Sequence, residues 1–220
     1  MSILDIIWKY KQGLSVGLLT TFQICSIAWF TGVLLGTVLG ALSHNKRNIG
    51  LITRSLTFVF SSIPFIVILY WIHFPLQVSL GIVIDPFISV TVILVILNVV
   101  IVAEIWRSSL DSFDNQFHLA AKVCGLGHYQ TLVNIKLPIV FRKALPNLLA
   151  AQVLILHMSL FSSFISVNEL FRAAQRINST IHKPIEIYTA LAVFFFLLCL
   201  PVNLLAFFLH RKYTRDFSER

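Results

Sequence analysis

Five apolar stretches, at about 14–42, 55–76, 86–106, 144–167 and 185–209, constrain this chain more than any other feature. Each is long enough to cross a bilayer, since a helix needs about 20 predominantly apolar residues to span the hydrocarbon core. No water is available there, so every backbone N–H and C=O must be satisfied internally, and such a run folds as a helix. The predicted fold class is an all-α integral membrane protein with about five transmembrane helices. Composition agrees: 57% of residues are hydrophobic and 12% charged, with a mean hydropathy of +0.86, whereas soluble domains carry about 25% charged residues. The first stretch is far longer than the apolar core of a secretory signal, about 7 to 15 residues, so it is expected to remain as a helix.

No repeat, low-complexity segment or linker divides the sequence, and residues 1–220 are expected to form one transmembrane domain with a single sizeable loop at about 108–143. Five spans leave the termini on opposite sides. With the N-terminus outside, the inner segments hold twelve basic residues (Lys46, Arg47, Arg54, Arg107, Lys122, Lys136, Arg142, Lys143, Arg211, Lys212, Arg215 and Arg220) and the outer segments five (Lys9, Lys11, Arg172, Arg176 and Lys183). The excess of Lys and Arg on cytoplasmic loops therefore predicts an outside N-terminus, a cytoplasmic C-terminus and a cytoplasmic 108–143 loop. The net charge of +8 is largely this bias. With no basic–aromatic platform outside the spans, it points to a lipid bilayer and not to nucleic acid. Phe194–Phe196 and Phe207–Phe208 suit a lipid-facing surface. Cys25, Cys124 and Cys199 lack metal spacing and are expected to be free thiols.

The spans carry their own punctuation. Gly32, Gly36 and Gly40 recur every four residues and present one small-residue helix face for close packing. Pro64 and Pro201 should bend or break the second and fifth helices. Pro138 and Pro146 suit a helix entry, which places the start of the fourth membrane helix between them.

The loop itself reads LAAKVCGLGHYQTLVNIKLP from Leu119 to Pro138: polar for this chain, helix-forming and poor in reactive groups. Small residues Ala120 and Ala121 let a partner approach closely, and Gly125 with Gly127 supplies a turn between two short helices. An Ala-Ala pair, Gly four residues later, nine residues and then Ile135-x-Leu137-Pro138 closely resembles the EAA loop of ABC-importer permeases, with Leu119 where the motif's Glu normally stands. The resemblance covers almost the whole chain and is nearest the polar amino-acid importers of the histidine, glutamine and arginine type. It is carried by Gly13, Gly17 and Thr20-Thr21, by Ser62-Ile63-Pro64, and by Leu97-Asn98 with Ala103-Glu104-Ile105-Trp106-Arg107. In the fourth span and outer loop it is carried by Leu154 to His157, Asn168-Glu169-Leu170, Ala173, Ile177-Asn178-Ser179 and Pro184. Ser61 departs from it, standing where many relatives have Arg.

The resemblance implies a permease subunit of the bacterial inner membrane that forms half of a translocation path by alternating access. Its partners would be a dimer of ABC ATPases, a second permease subunit and an extracytoplasmic amino-acid-binding protein. Leu119, Ala120, Ala121, Gly125, Ile135, Leu137 and Pro138 would couple to the ATPase. No Gly-x-x-x-x-Gly-Lys-Ser/Thr sequence is present, so this chain is not expected to be an enzyme or to bind a cofactor; ATP and Mg²⁺ belong to the partner ATPase. Leu119 cannot supply the motif carboxylate, which favours a paralogous second subunit that retains it over a homodimer. A methionine-type importer is the alternative, since Ser62-Ile63-Pro64-Phe65 also resembles that group. A non-ABC channel or intramembrane enzyme is the reading from another class, but the spans hold no paired His-x-x-x-His, nucleophile elbow or close carboxylate pair, hence no catalytic or metal site.

Polar side chains inside spans are expensive in lipid and normally face the bundle interior, which makes Asn98, Glu104, Gln152, His157 and Ser159 the substrate-path candidates. Each has a plainer reading: Glu104 can pair with Arg107 three residues on, and His157 can bond either a cargo carboxylate or a neighbouring helix. Glu169, Arg172, Arg176 and Lys183 make a mixed-charge outer loop suited to docking the binding protein or simply to solvent.

Overall fold

The computed structural model describes residues 3–218, excluding the side chains of residues 47, 115, 118 and 214–218. The charges counted above at Arg47, Arg215 and Arg220 lie outside this description. The elements are α1 (Ile3–Lys9), α2 (Lys11–Asn45), α3 (Arg47–Ser62), α4 (Phe65–Trp71), α5 (Gln77–Leu80) and α6 (Pro86–Asp111). They continue with α7 (Asn115–Val123), α8 (His128–Thr131), α9 (Leu137–Ser159), α10 (Leu170–Ile181) and α11 (Pro184–Ser218). Wide π turns at Ile72–Leu76 and Leu132–Lys136 join α4 to α5 and α8 to α9, and a 3₁₀ turn at Leu160–Ile165 extends α9.

Among the described residues four helices are long and apolar enough to span a membrane: Lys11–Asn45, Pro86–Asp111, His128–Ile165 and Pro184–Tyr213. A fifth span there is the pair Asn48–Ser62 and Phe65–Leu80, bent by 98°, if the two are taken together. The break falls at Pro64, as its sequence predicts. Ile63, forced out of the helical region by the ring that follows, sits at φ −111°, ψ 127°. Helix α11 runs on through Pro201, so the ring does not break this span. A span that ended there would leave carbonyls unsatisfied in lipid, whereas a continuous helix loses little more than one bond.

The fourth membrane helix also begins earlier than its prolines suggest. It starts at His128 and continues to Ile165. The π turn ends at Leu137, whose N–H bonds the Leu132 carbonyl, and this wider turn directly precedes Pro138. Pro146 lies buried inside α9.

Helix α6 is the centre of the bundle, packed on α2, α3 and α9. Ile24, Ala28, Leu69, Val90, Leu94, Leu97 and Ile155 form the main core. The glycine face of α2 makes this packing possible: a Cβ at Gly32 would lie 2.4 Å from Asn98 Nδ2, at Gly36 2.6 Å from Val102 Cβ and at Gly40 2.6 Å from Trp106 Cβ. The small-residue stripe is thus occupied within the chain. Helix α11 is the outermost, with 17% of its apolar window buried against 56% for α6. Phe196, Phe207 and Phe208 are exposed on it, as a lipid-facing helix requires.

Candidate functional site

The polar residues of the mid-bundle close on one another. Asn98, wholly buried on α6, donates from Nδ2 to the Ala28 carbonyl at 2.8 Å and to Gln152 Oε1 at 3.0 Å. Gln152 Nε2 donates back to Asn98 Oδ1 at 3.4 Å and to the Leu148 carbonyl at 3.3 Å. Trp29 Nε1 donates to the Gln152 carbonyl at 3.0 Å. Residues from α2, α6 and α9 are therefore tied through two amides whose hydrogen-bonding capacity is largely taken up, which fixes the packing of these helices. Ser159 is fully buried and donates to the Leu156 carbonyl at 2.8 Å. Glu104 is held by Arg107, Nε to Oε2 at 2.9 Å and Nη2 to Oε1. His157 alone of these five is exposed, with Nε2 3.5 Å from Cys199 Sγ on α11. The structure brings Asn98 and Gln152 together, and places Glu104, Ser159 and His157 elsewhere.

At the opposite end from the 108–143 loop, α10 lies across the start of α2, and a Cβ at Gly17 would meet the Glu169 carbonyl at 3.0 Å. Glu169 is buried completely. Its carboxylate caps α10, accepting from the N–H groups of Phe171 and Arg172 at 2.7 Å each. Burial pushes this carboxyl from its ordinary 4.5 up to about 7, against the pull of those two bonds and of Arg172. Glu169 therefore shapes the loop and presents no surface of its own. Arg176 is exposed, Arg172 is half-buried, and Lys183 pairs with Glu186 at 3.5 Å. An open hollow of about 500 Å³ is lined here by Lys9, Gln12, Asn168 and Arg176 among others.

The 108–143 loop is built as a short helix and a hard stop. Asp114 caps α7, accepting from the Gln116 N–H at 2.9 Å. Leu126 N–H reaches back to the Ala121 carbonyl and Gly125 N–H to that of Lys122, both at 3.0 Å, with Gly125 at φ 71°. This is the Schellman ending, for which glycine is suited because a side chain is strained at positive φ. The Gln130 side chain then accepts from the Gly127 N–H at 3.0 Å and opens α8. The expected second short helix is thus the first turn of the 128–165 span. Ala121 is 2% exposed and faces inward, whereas Leu119 and Val123, one turn apart, are 61% and 89% exposed, with Tyr129 beyond them at 76%. Ile135 is half-buried, and Leu137 and Pro138 are exposed.

One assembly at this end is only partly legible in the sequence. Arg107, 8% exposed, also reaches Asp111, Nη1 to Oδ2 at 2.5 Å. Asp111 accepts from His44 Nδ1 at 2.8 Å and lies 3.8 Å from Arg54 Nη2. His44 Nε2 is 3.3 Å from Lys136 Nζ. The helical spacing 104, 107, 111 announces the first three members, but nothing local announces His44 or Lys136.

Residues 32–215 match the family described as binding-protein-dependent transport system inner membrane component. The chain belongs to that family. It is 30% identical to the glutamine transport system permease protein GlnP of Escherichia coli over 187 residues, covering 82% of this chain and 85% of that protein. It is 28% identical to the L-cystine transport system permease protein TcyB of Bacillus subtilis, covering 92% and 87%. A crystal structure of an amino acid ABC transporter with histidines superposes with a TM-score of 0.83 at 26% identity, covering 96% of this chain and 99% of that one. Inward-facing forms of the MetNI methionine ABC transporter share the fold, with a TM-score of 0.66 at 17% identity over 92% and 96% of the two chains. The protein is a multi-pass inner-membrane permease component.

Proposed function

We propose that this chain is the permease subunit of an ATP-driven importer of polar amino acids, in which it forms half of the translocation path. The observation that carries the coupling role is the continuity of the 128–165 helix with the turn that follows α7. A push on α7 passes through the tight turn at Gly125 into the start of a membrane span, the transmission that alternating access requires. The exposed Leu119 and Val123, beside Ala120, form the face offered to an ATPase dimer, which supplies ATP and Mg²⁺ chemistry that this chain has no motif to perform. Gly125, Ile135, Leu137 and Pro138 shape the rest of this element.

The N-terminus is outside, and Arg176 at the hollow near Gln12 faces the amino-acid-binding protein together with Arg172 and Lys183 of the same outer loop; Glu169 holds that loop in place. Cargo passes between this chain and a second permease, a paralogue carrying the motif Glu, with His157 as the path residue this chain presents. Asn98 and Gln152 tie together the helices beside it, Ser159 lies buried on the same helix, and Glu104 stays paired with Arg107 towards the 108–143 loop. Likeness to permease proteins of glutamine and L-cystine transport systems and to an amino acid ABC transporter with histidines supports a polar amino acid as the cargo.

Gentle affinity purification from the native membrane, followed by mass spectrometry, tests this reading. Recovery of an ATPase and a second, Glu-containing permease is the expected result. An ATPase with this chain alone would replace the paralogue by a homodimer, and no ATPase, under conditions that preserve a control importer, would overturn the proposal.

A further inference from the structure

The polar chain Glu104–Arg107–Asp111–His44–Lys136 joins three separate parts of the molecule. Glu104, Arg107 and Asp111 lie on the last turns of α6, His44 on the last turn of α2, and Lys136 in the π turn between α8 and α9. Chemistry sets the roles in its central link. Lys136 can only donate and the Asp111 carboxylate can only accept, so a His44 that bonds both donates from Nδ1 and accepts at Nε2. Around this link stand Arg54 from α3, 3.8 Å from Asp111, and the ring of Phe113, 5.8 Å from Lys136 Nζ. Lys143 on α9 adds a parallel tie, donating to the Ser112 carbonyl at 3.0 Å.

We propose that His44 is a latch that binds the start of the 128–165 helix to the cytoplasmic ends of α2 and α6, so that the segment coupled to the ATPase and the central helix pair move as one body. The proposal rests on the coupling role given above and names the residues that transmit it. Without the latch, the wide π turn is the soft point at which α8 and the 108–143 loop can move while α9 stays behind, because its hydrogen bonds span five residues instead of four. His44 acts through Asp111 and Lys136 and is a positioning residue.

The test uses the complex recovered with its ATPase and held in lipid nanodiscs. Two quantities are read: backbone hydrogen–deuterium exchange across residues 128–136, with residues 94–102 as an internal control, and the rate of ATP hydrolysis. His44→Gln retains one donor and one acceptor without charge and should leave both within about twofold of wild type. His44→Arg is donor-only and sets a cation against Lys136; exchange over 128–136 should rise about tenfold with the control segment unchanged, and ATP hydrolysis should shift at least threefold. The double variant His44→Arg/Lys136→Glu restores an attractive pair and should return both readings towards wild type, including where the single Arg variant fails to assemble. Equal effects of Gln and Arg, unchanged exchange in the Arg variant, or no recovery in the double variant would each overturn the latch. If the wild-type chain recovers no ATPase, the coupling role fails, while exchange on the permease alone still judges the contact.

Discussion

Two polar assemblies share α6, about 20 Å apart at 1.5 Å per residue between Asn98 and Asp111, and they are built on opposite rules. The mid-bundle pair Asn98–Gln152 is uncharged, with Asn98 wholly buried, and its partners lie at 2.8 to 3.4 Å. The assembly at the 108–143 loop is charged and partly wet: Arg107 is 10% exposed in its side chain, Asp111 43% and Arg54 61%. In lipid an unmet polar group is costly and has no water to fall back on, so a polar contact there must be neutral, closed and fixed. At the water boundary a charged contact can be broken and rehydrated at small cost. Closed, neutral contacts hold the middle of the bundle, and charged contacts that water can reach hold its end at the 108–143 loop.

The most damaging way to break this division is to force the helices apart at the amide pair. Gly32→Leu places a branched side chain where Asn98 already sits, its Cβ 2.4 Å from Nδ2. A loss of about 3 kcal/mol or more is expected, read as failure of the purified chain to give a single folded peak in detergent. A normal peak and melting temperature would mean that α2 and α6 do not meet this closely.

Glu169 sharpens the contrast, because it is fully buried and yet ionisable. The folded carboxyl keeps its proton up to about 7, while an unfolded one loses it near 4.5. The folded state thus binds more protons between those values, and stability falls as pH rises through that window, by roughly 1 to 3 kcal/mol. Glu169→Gln keeps an acceptor for the Phe171 and Arg172 N–H groups without the charge. Melting of the wild type at pH 5 and pH 8 should differ, and the variant's should not; a variant with the wild-type slope would place the titration elsewhere.

Removing one amide should cost about 1 kcal/mol, within the range measured for hydrogen bonds between membrane helices. Asn98→Leu leaves Gln152 Oε1 without its donor and should lower the midpoint of denaturation in sodium dodecyl sulfate, while Asn98→Leu/Gln152→Leu should recover part of that loss. Purely additive losses would show that the two amides act separately. The smallest effect belongs to Arg54→Ala, which removes an exposed 3.8 Å pair with Asp111 and should change stability by less than about 0.5 kcal/mol in the same titration. A larger loss would mean that this exposed pair holds the helix ends as firmly as the amides hold the middle.

Much of this arrangement is legible in the sequence, and the failures have causes. Apolar length and composition reveal the spans, and Pro64 marks its break because the residue before a proline cannot stay helical. Hydrophobic pattern, however, marks where a helix meets lipid and not where it starts, so the beginning at His128 in polar sequence was displaced towards Pro138 and Pro146. Pro201 does not break its helix because the cost of ending one in lipid exceeds the local cost of the ring. Asn98 and Gln152 stand out singly as polar residues in spans, but their pairing joins positions on different helices and depends on the close approach at Gly32. Glu169 reads as a surface charge from its loop position, and only the packing of α10 on α2 buries it.

Transport itself is the most direct test. Proteoliposomes holding the complete complex, with its binding protein outside, would be given labelled glutamine, glutamate, aspartate, arginine, histidine and cystine, with either ATP or ADP trapped inside and with or without an imposed ion gradient. Accumulation of at least one of these amino acids that requires ATP and ignores the gradient is the expected result. Accumulation driven by the gradient with ADP inside, or none of the six taken up by a complex that hydrolyses ATP, would contradict the assignment.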